Sequence, residues 1–241
     1  MPPLSALPSG GALPSAAESN CLVRNEWICG EYLSSRASIL GEALFEHVWI
    51  TLVSVLLGLA LALPLALVAR RYRRLEWLVV GSTTALYTIP SLALFSLLLP
   101  LTGLTATTVV VGLVLYSLTI LVRNVLEGLR GVPEEVRESA LGMGYAGGRL
   151  LFGVELPLAL PSIMAGLRVA TVSTVALTTV GAIIGFGGLG NLLFEAVNTQ
   201  FRPQVLTAGL LCVALAVFFD LLLVGLQRVL TPWSRTRAVS A

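Results

Sequence analysis

Two charged residues stand where the sequence is otherwise nearly all hydrocarbon. Arg168 lies in LALPSIMAGLRVATVSTVAL and Asp220 in VALAVFFDLLLVGL. A charge held in an apolar run is costly unless it is paired or hydrated. The two can therefore bind each other and fix two helices, or the carboxylate can attract a cationic head group. Their depths match: Arg168 is eleven residues past Pro157, about 16 Å of helix, and Asp220 eight before Arg228, about 12 Å.

The uncharged polar residues are also spaced in a way that could do work. Thr171, Thr174, Thr178 and Gly181 recur at steps of three and four and share one helical face. Such a face either packs closely on a neighbouring helix or lines a path for a polar solute. Thr84, Thr88 and Ser91 make a second, similar set around Pro90, which breaks the backbone hydrogen-bond ladder and frees carbonyls. Tyr87, Thr88, Pro90 and Ser91 are the leading candidates for lining such a path, with the threonines of the later run as a second set. Tyr87 and Tyr116 are the aromatic rings to test there; Trp27, Trp49, Trp77 and Trp233 fall near the ends of apolar runs, where amphipathic rings settle at membrane surfaces.

Other chemistries are excluded. All fifteen cationic residues are arginines, so a phosphate-binding loop with its lysine cannot be built. Uphill transport would need a partner or an ion gradient, and no nucleotide or other cofactor is expected on the chain. The one histidine, His47, and three cysteines, Cys21, Cys29 and Cys212, form no metal-ligand pattern. No nucleic-acid partner is indicated.

These residues must be positioned by membrane helices. The 241 residues are 56% hydrophobic and 12% charged, with a mean hydropathy of +0.90. A soluble domain carries about 25% charged residues. Five apolar runs are long enough to cross about 30 Å of hydrocarbon: residues 47–69, 78–101, 106–122, 158–184 and 206–230. The expected architecture is an all-α polytopic membrane protein in contact with lipid.

Arginines set the expected orientation. Four lie in RRYRR (Arg70–Arg74), four between the third and fourth runs (Arg123, Arg130, Arg137, Arg149), and three near the end (Arg228, Arg235, Arg237). Only Arg24, Arg36 and Arg202 fall in the opposite set. The positive-inside rule then predicts N-terminus out and C-terminus in. Residues 1–45 form an extracytoplasmic tail with no signal-peptide pattern, 46–231 the membrane domain with a cytoplasmic loop over 123–157, and 232–241 an inner tail. Cys21 and Cys29, seven residues apart, share the outer side, where a disulfide persists. A bridge between them and two free thiols are both open.

The loop ESALGMGYAGGRLLFGVELP, Glu138 to Pro157, is a polar island between apolar runs. Pro133, Glu134 and Glu135 predict a helix from Pro133 to about Leu141. Ala140, Gly142 and Gly144 would smooth its surface for close approach of another backbone. Pro157, with no N–H to donate, suits the start of the next helix. A solvated loop and a docking surface are equally compatible with these features.

The spacing favours docking. Glu138-Ser139-Ala140, three residues, Gly144, nine residues, Val154, one residue, Leu156-Pro157 resembles the E-A-A-x3-G-x9-I-x-L-P loop of ABC importer permeases, with Ser139 and Val154 as its departures. In that family the loop is the coupling helix, which sits in a cleft of the ATPase subunit. The resemblance implies that Glu138, Ser139, Ala140, Gly144, Leu156 and Pro157 belong to that coupling element. It also implies a type I importer permease fold, an ATPase that binds the ATP, a second permease copy or sister permease, and an extracytoplasmic solute-binding protein.

TIPSLALFSLLLP (Thr88–Pro100), the run Leu160–Val197 and FFDLLLVGLQRVL (Phe218–Leu230) look like permeases for quaternary-amine osmoprotectants such as glycine betaine, carnitine and choline. Tyr87 stands where members of that group commonly have Gln. The resemblance implies a translocation subunit of a bacterial inner membrane and not an enzyme. The alternatives are a permease of the same fold for methionine or another amino acid, and an ion-driven transporter with Asp220 as its coupling acid.

Overall fold

The computed structural model describes residues 20–233. The expectations placed on the first 19 residues, and on Arg235, Arg237 and the last eight residues, lie outside the described residues. Among the described residues there is no strand. The helices are α1 (Gly30–Ser35), α2 (Ala37–Arg71), α3 (Arg73–Thr88), α4 (Ser91–Thr102), α5 (Ala106–Arg130), α6 (Glu134–Gly142), α7 (Gly147–Leu150), α8 (Leu156–Thr178), α9 (Leu189–Thr199) and α10 (Arg202–Leu230).

Four segments are long and apolar enough to cross a membrane: Ala37–Arg71, Ala106–Arg130, Gly147–Ile184 and Arg202–Leu230. The expected second span is not one rod. Its two halves, α3 and α4, meet at a bend of 103°. Pro90 causes it: Ile89 and Pro90 take extended backbone angles, since a residue before proline is driven out of the helical region.

α5 is the central helix. Two-thirds (67%) of its span window is buried inside the chain, against 11% for α10. Small residues let its neighbours approach. A Cβ on Gly128 would lie 2.9 Å from the Ala159 carbonyl, and one on Gly58 of α2 would strike Ser117. The main apolar core, with Ala62, Ala66, Leu121, Val125, Leu129, Ala159 and Ile163, therefore sits where α2, α5 and α8 meet. The outward sides of α2 and α10 carry Leu56, Leu57, Leu210, Val213 and Leu221 in the open, as a lipid-facing surface requires.

Two expectations are corrected. The stretch before residue 46 is not all tail: α2 begins at Ala37, and a folded cap precedes it. In that cap Cys21 and Cys29 are disulfide-bonded, with 5.6 Å between α-carbons. Asn25 donates to the Gln200 carbonyl at 2.9 Å and accepts from the Arg202 amide at 2.8 Å, so the cap is fastened to the α9–α10 corner. Tyr32 is buried edge-on against Phe201 with centroids 5.6 Å apart, and burial pushes its hydroxyl above the usual tyrosine range.

The second correction concerns Pro157. It is the second residue of α8, but the helix does not start there. The backbone runs on from α7 through a π turn, Leu151–Glu155. A wider turn relieves the clash that a proline ring makes with the preceding turn. After α8 the chain turns back, as the end of the fourth run at residue 184 leads one to expect. A 3-10 turn (Thr179–Ile184) and Gly185–Gly188 reverse the chain into α9, eleven residues long and too short to cross. Gly188 has φ +54°, and a Cβ there would come within 2.6 Å of the His47 backbone, so only glycine fits.

Candidate functional site

The loop between α5 and α8 builds an exposed face. α6 presents Glu138, Ser139, Leu141 and Gly142 outward, followed by Met143 and Gly144. Gly144 ends the helix at φ +84°, the left-handed geometry that glycine takes without strain, and the Tyr145 amide bonds back to the Ala140 carbonyl at 3.0 Å. Ala140 itself points inward and is 2% exposed. It cannot offer contact to a partner as the sequence suggested; its small side chain lets α6 lie close to its own chain. Leu156 and Pro157 are half-buried at the root of α8.

Beneath this face lies a charge cluster that sequence reasoning missed. Glu155 is 5% exposed, and its two carboxylate oxygens accept from Arg70 Nη1 and Nη2 at 2.8 and 2.7 Å. One of them also accepts from Arg137 Nε at 2.8 Å. Three elements thus meet at one carboxylate: the end of α2, the middle of α6, and the π turn before α8. The available signal was a glutamate in an apolar stretch beside two arginine-bearing segments.

The break between α3 and α4 forms a second polar locus. The Tyr116 hydroxyl donates to the Ile89 carbonyl, and its ring meets Tyr87 edge-on at 5.7 Å. One turn along α5, Thr119 donates to the Thr83 carbonyl at 2.6 Å, and Arg123 donates to Thr84 Oγ1 at 2.9 Å. Tyr116, Thr119 and Arg123 recur at steps of three and four, a signal present in the sequence but unused for the last two. Tyr87, Thr88 and Pro90 are exposed and Ser91 half-buried. Thr84 and Thr88 border a groove of about 660 Å³ that also takes in Arg73, Glu76, Trp77 and Arg123.

Thr171, Thr174 and Thr178 lie elsewhere. All three are buried, and their hydroxyls return to the carbonyls of Leu167, Ala170 and Thr174 at 2.7–2.8 Å. Thr178 also meets Thr51 of α2 at 3.4 Å, and His47 Nε2 donates to the Val175 carbonyl at 3.0 Å. Within this chain the threonine face is buried, and at Thr178 it meets α2.

Arg168 and Asp220 form a two-pronged pair, Nε to Oδ1 at 2.9 Å and Nη2 to Oδ2 at 3.0 Å. The pair joins α8 to α10 but is not enclosed: each side chain is about one-third exposed, at 33% and 35%, on a groove lined by Ala165, Val169, Val172 and Ser173. No cluster of metal-ligating side chains occurs among the described residues.

Comparison with known proteins adds the following. The sequence profile described as "Binding-protein-dependent transport system inner membrane component" matches residues 54–236. The glycine betaine/carnitine/choline transport system permease protein OpuCD of Bacillus subtilis is 36% identical over 204 residues, covering 84% of this chain and 89% of that protein. The osmoprotectant import permease protein OsmW of Salmonella typhimurium is 36% identical over 206 residues, 83% and 96% respectively. Among solved structures, an inward-facing conformation of the MetNI methionine ABC transporter superposes with a TM-score of 0.72 at 21% identity, covering 82% of this chain and 98% of that one.

Proposed function

The chain belongs to the family of binding-protein-dependent transport system inner membrane components, and from that membership we propose that it is the translocation subunit of an ATP-driven importer for quaternary-amine osmoprotectants. The observation that carries the substrate class is identity of 34–36% over four-fifths of the chain to permeases named for glycine betaine, carnitine and choline. The likeness to a methionine transporter, at 21% identity, speaks for fold alone.

The division of labour follows from what the chain lacks. It has no lysine for a phosphate loop, so ATP is bound by a separate ATPase subunit and this chain carries no cofactor. The ATPase docks on the open face formed by Glu138, Ser139, Leu141, Met143 and Gly144, on the cytoplasmic side marked by the arginines. The N-terminal cap then lies outside, where a solute-binding protein delivers its load. A second permease copy, or a sister permease, completes the path. Tyr87, Thr88, Pro90 and Ser91 contribute to that path at the break between α3 and α4, where the backbone leaves its helical ladder and a groove reaches Thr88.

Reconstitution tests this. The permease, an ATPase subunit and a binding protein from the same transporter are placed in liposomes with ATP inside, and uptake of labelled glycine betaine, carnitine, choline and methionine is followed. Saturable, ATP-dependent uptake of at least one quaternary amine with none of methionine is expected. Uptake of methionine alone would replace the substrate class, and uptake driven by a proton gradient without ATPase would overturn the importer.

A further inference from the structure

The cluster at Glu155 has a property that neither the loop spacing nor the fold requires. α6 is lightly held: Ala140 is the only buried residue in the helix. Among the described residues, its ion-pair attachment to the membrane helices is Arg137 to Glu155, at 2.8 Å. Glu155 is at the same time clamped by Arg70, the next-to-last residue of α2, through two hydrogen bonds. The carboxylate is thus a joint with three arms, one on α6 and two on the spans α2 and α8.

We propose that Glu155, resting on the importer function above, is the positioning residue that transmits displacement of the coupling helix to α2 and α8 together. A push on the open face of α6 reaches Arg137 within the same helix. Without the joint it would be taken up by the two non-helical ends of α6, Gly131–Pro133 and Met143–Ala146, which bend easily. With the joint it passes to the root of α8 and, through Arg70, to the inner end of α2.

The local backbone suits the task. Glu155 closes the π turn Leu151–Glu155, and one extra residue in a turn swings the helix that precedes it by about 100° relative to the one that follows. α7 and α8 form one continuous helix whose faces change register at the residue that holds the arginines. Burial makes the joint stiff. The carboxylate is 6% exposed and the Arg70 side chain 18%, so water competes poorly for their hydrogen bonds. Arg137, one-third exposed, is the arm nearest solvent.

Arg137→Gln cuts the α6 arm while leaving the buried Arg70–Glu155 pair in place. In liposomes holding the complete transporter, ATP hydrolysis and solute uptake are measured on the same sample. The variant should co-purify with the ATPase and hydrolyse ATP at near the normal rate, while solute moved per ATP falls by about tenfold. Arg137→Lys, which keeps a cation within reach of the carboxylate, should recover most of that ratio. A merely structural role would lower yield or assembly and leave the ratio of uptake to hydrolysis unchanged. Unchanged transport per ATP in Arg137→Gln overturns the joint, as does a loss of transport explained by lost ATPase association. Should the unaltered complex itself show no ATP-driven uptake, the importer function fails, and the joint falls with it.

Discussion

The Tyr116 hydroxyl donates to the carbonyl of Ile89, the backbone group left outside both helices where Pro90 separates α3 from α4. That carbonyl has no ladder partner and needs a donor from elsewhere. α5 therefore supplies from a side chain what the proline removed from the backbone. The tyrosine thus serves the bend of 103° that Pro90 makes.

Tyr116→Phe removes the donor and little else, since the ring can keep its edge-on packing against Tyr87. The expected cost is about 1–3 kcal/mol, the penalty for orphaning a buried acceptor. Thermal unfolding in detergent should show a lower midpoint than the unaltered protein. An unchanged midpoint would mean that water takes the place of the hydroxyl at Ile89.

The coupling face can be probed without disturbing the fold. Met143 is 72% exposed, so Met143→Asp removes no packing within the chain. Insertion and thermal stability should stay as they are, while co-purification with the ATPase is lost. The same substitution at Phe152, which is 69% exposed on the π turn away from the docking face, is the control and should co-purify normally. Retained association in Met143→Asp would place the docking site elsewhere.

How much was legible in the sequence depends on what fixes each feature. Apolar length is a property of single segments, so four of the five expected spans could be read directly. The expected second span carried its own warning in Pro90, yet the partner of the freed Ile89 carbonyl, Tyr116, lies twenty-seven residues away. The start of α2 was placed ten residues late, at His47, because Glu42 and Glu46 lower the hydropathy there while leaving the helix intact. The threonine face was legible as a face; whether it met solute or α2 was not, because period says nothing of what lies opposite. Glu155 was passed over for the same reason: its two partners come from Arg70 and Arg137, distant in sequence, and only folding brings them within 3 Å.

Arg168 and Asp220 provide a test of whether charge or shape matters in the span. Neutralising either leaves the other alone on a surface that α8 and α10 expose within the membrane, so Arg168→Leu and Asp220→Leu should each reduce the amount of folded protein recovered. Exchanging the two residues should recover part of the loss, because the two-pronged geometry can form from either side. Should Asp220→Asn fold normally and lose transport of choline selectively among the solutes, the carboxylate acts on the cation directly and the pairing is incidental.

The last prediction concerns the cap over α9 and α10. Its attachment has an apolar part, where Tyr32 packs against Phe201, and a polar one: Asn25 holds both the Gln200 carbonyl and the Arg202 amide, and the Arg202 guanidinium sits 5.8 Å from the centre of the Trp27 ring. Asn25 does this from φ +52°, a left-handed conformation in which asparagine is favoured over most residues, and the disulfide between Cys21 and Cys29 encloses it. Closing so short a loop is worth about 2–3 kcal/mol at most, by lowering the entropy of the unfolded chain. Replacing both cysteines with serine should therefore loosen the cap without unfolding the membrane helices, which hold their own cores. Proteolysis from the outer side should cut near Asn25 in the double variant and not in the unaltered protein, at equal global stability. In non-reduced protein Cys21 and Cys29 should resist alkylation until reductant is added. Free labelling of both before reduction would show that Asn25, and not the bridge, is what holds the cap in place.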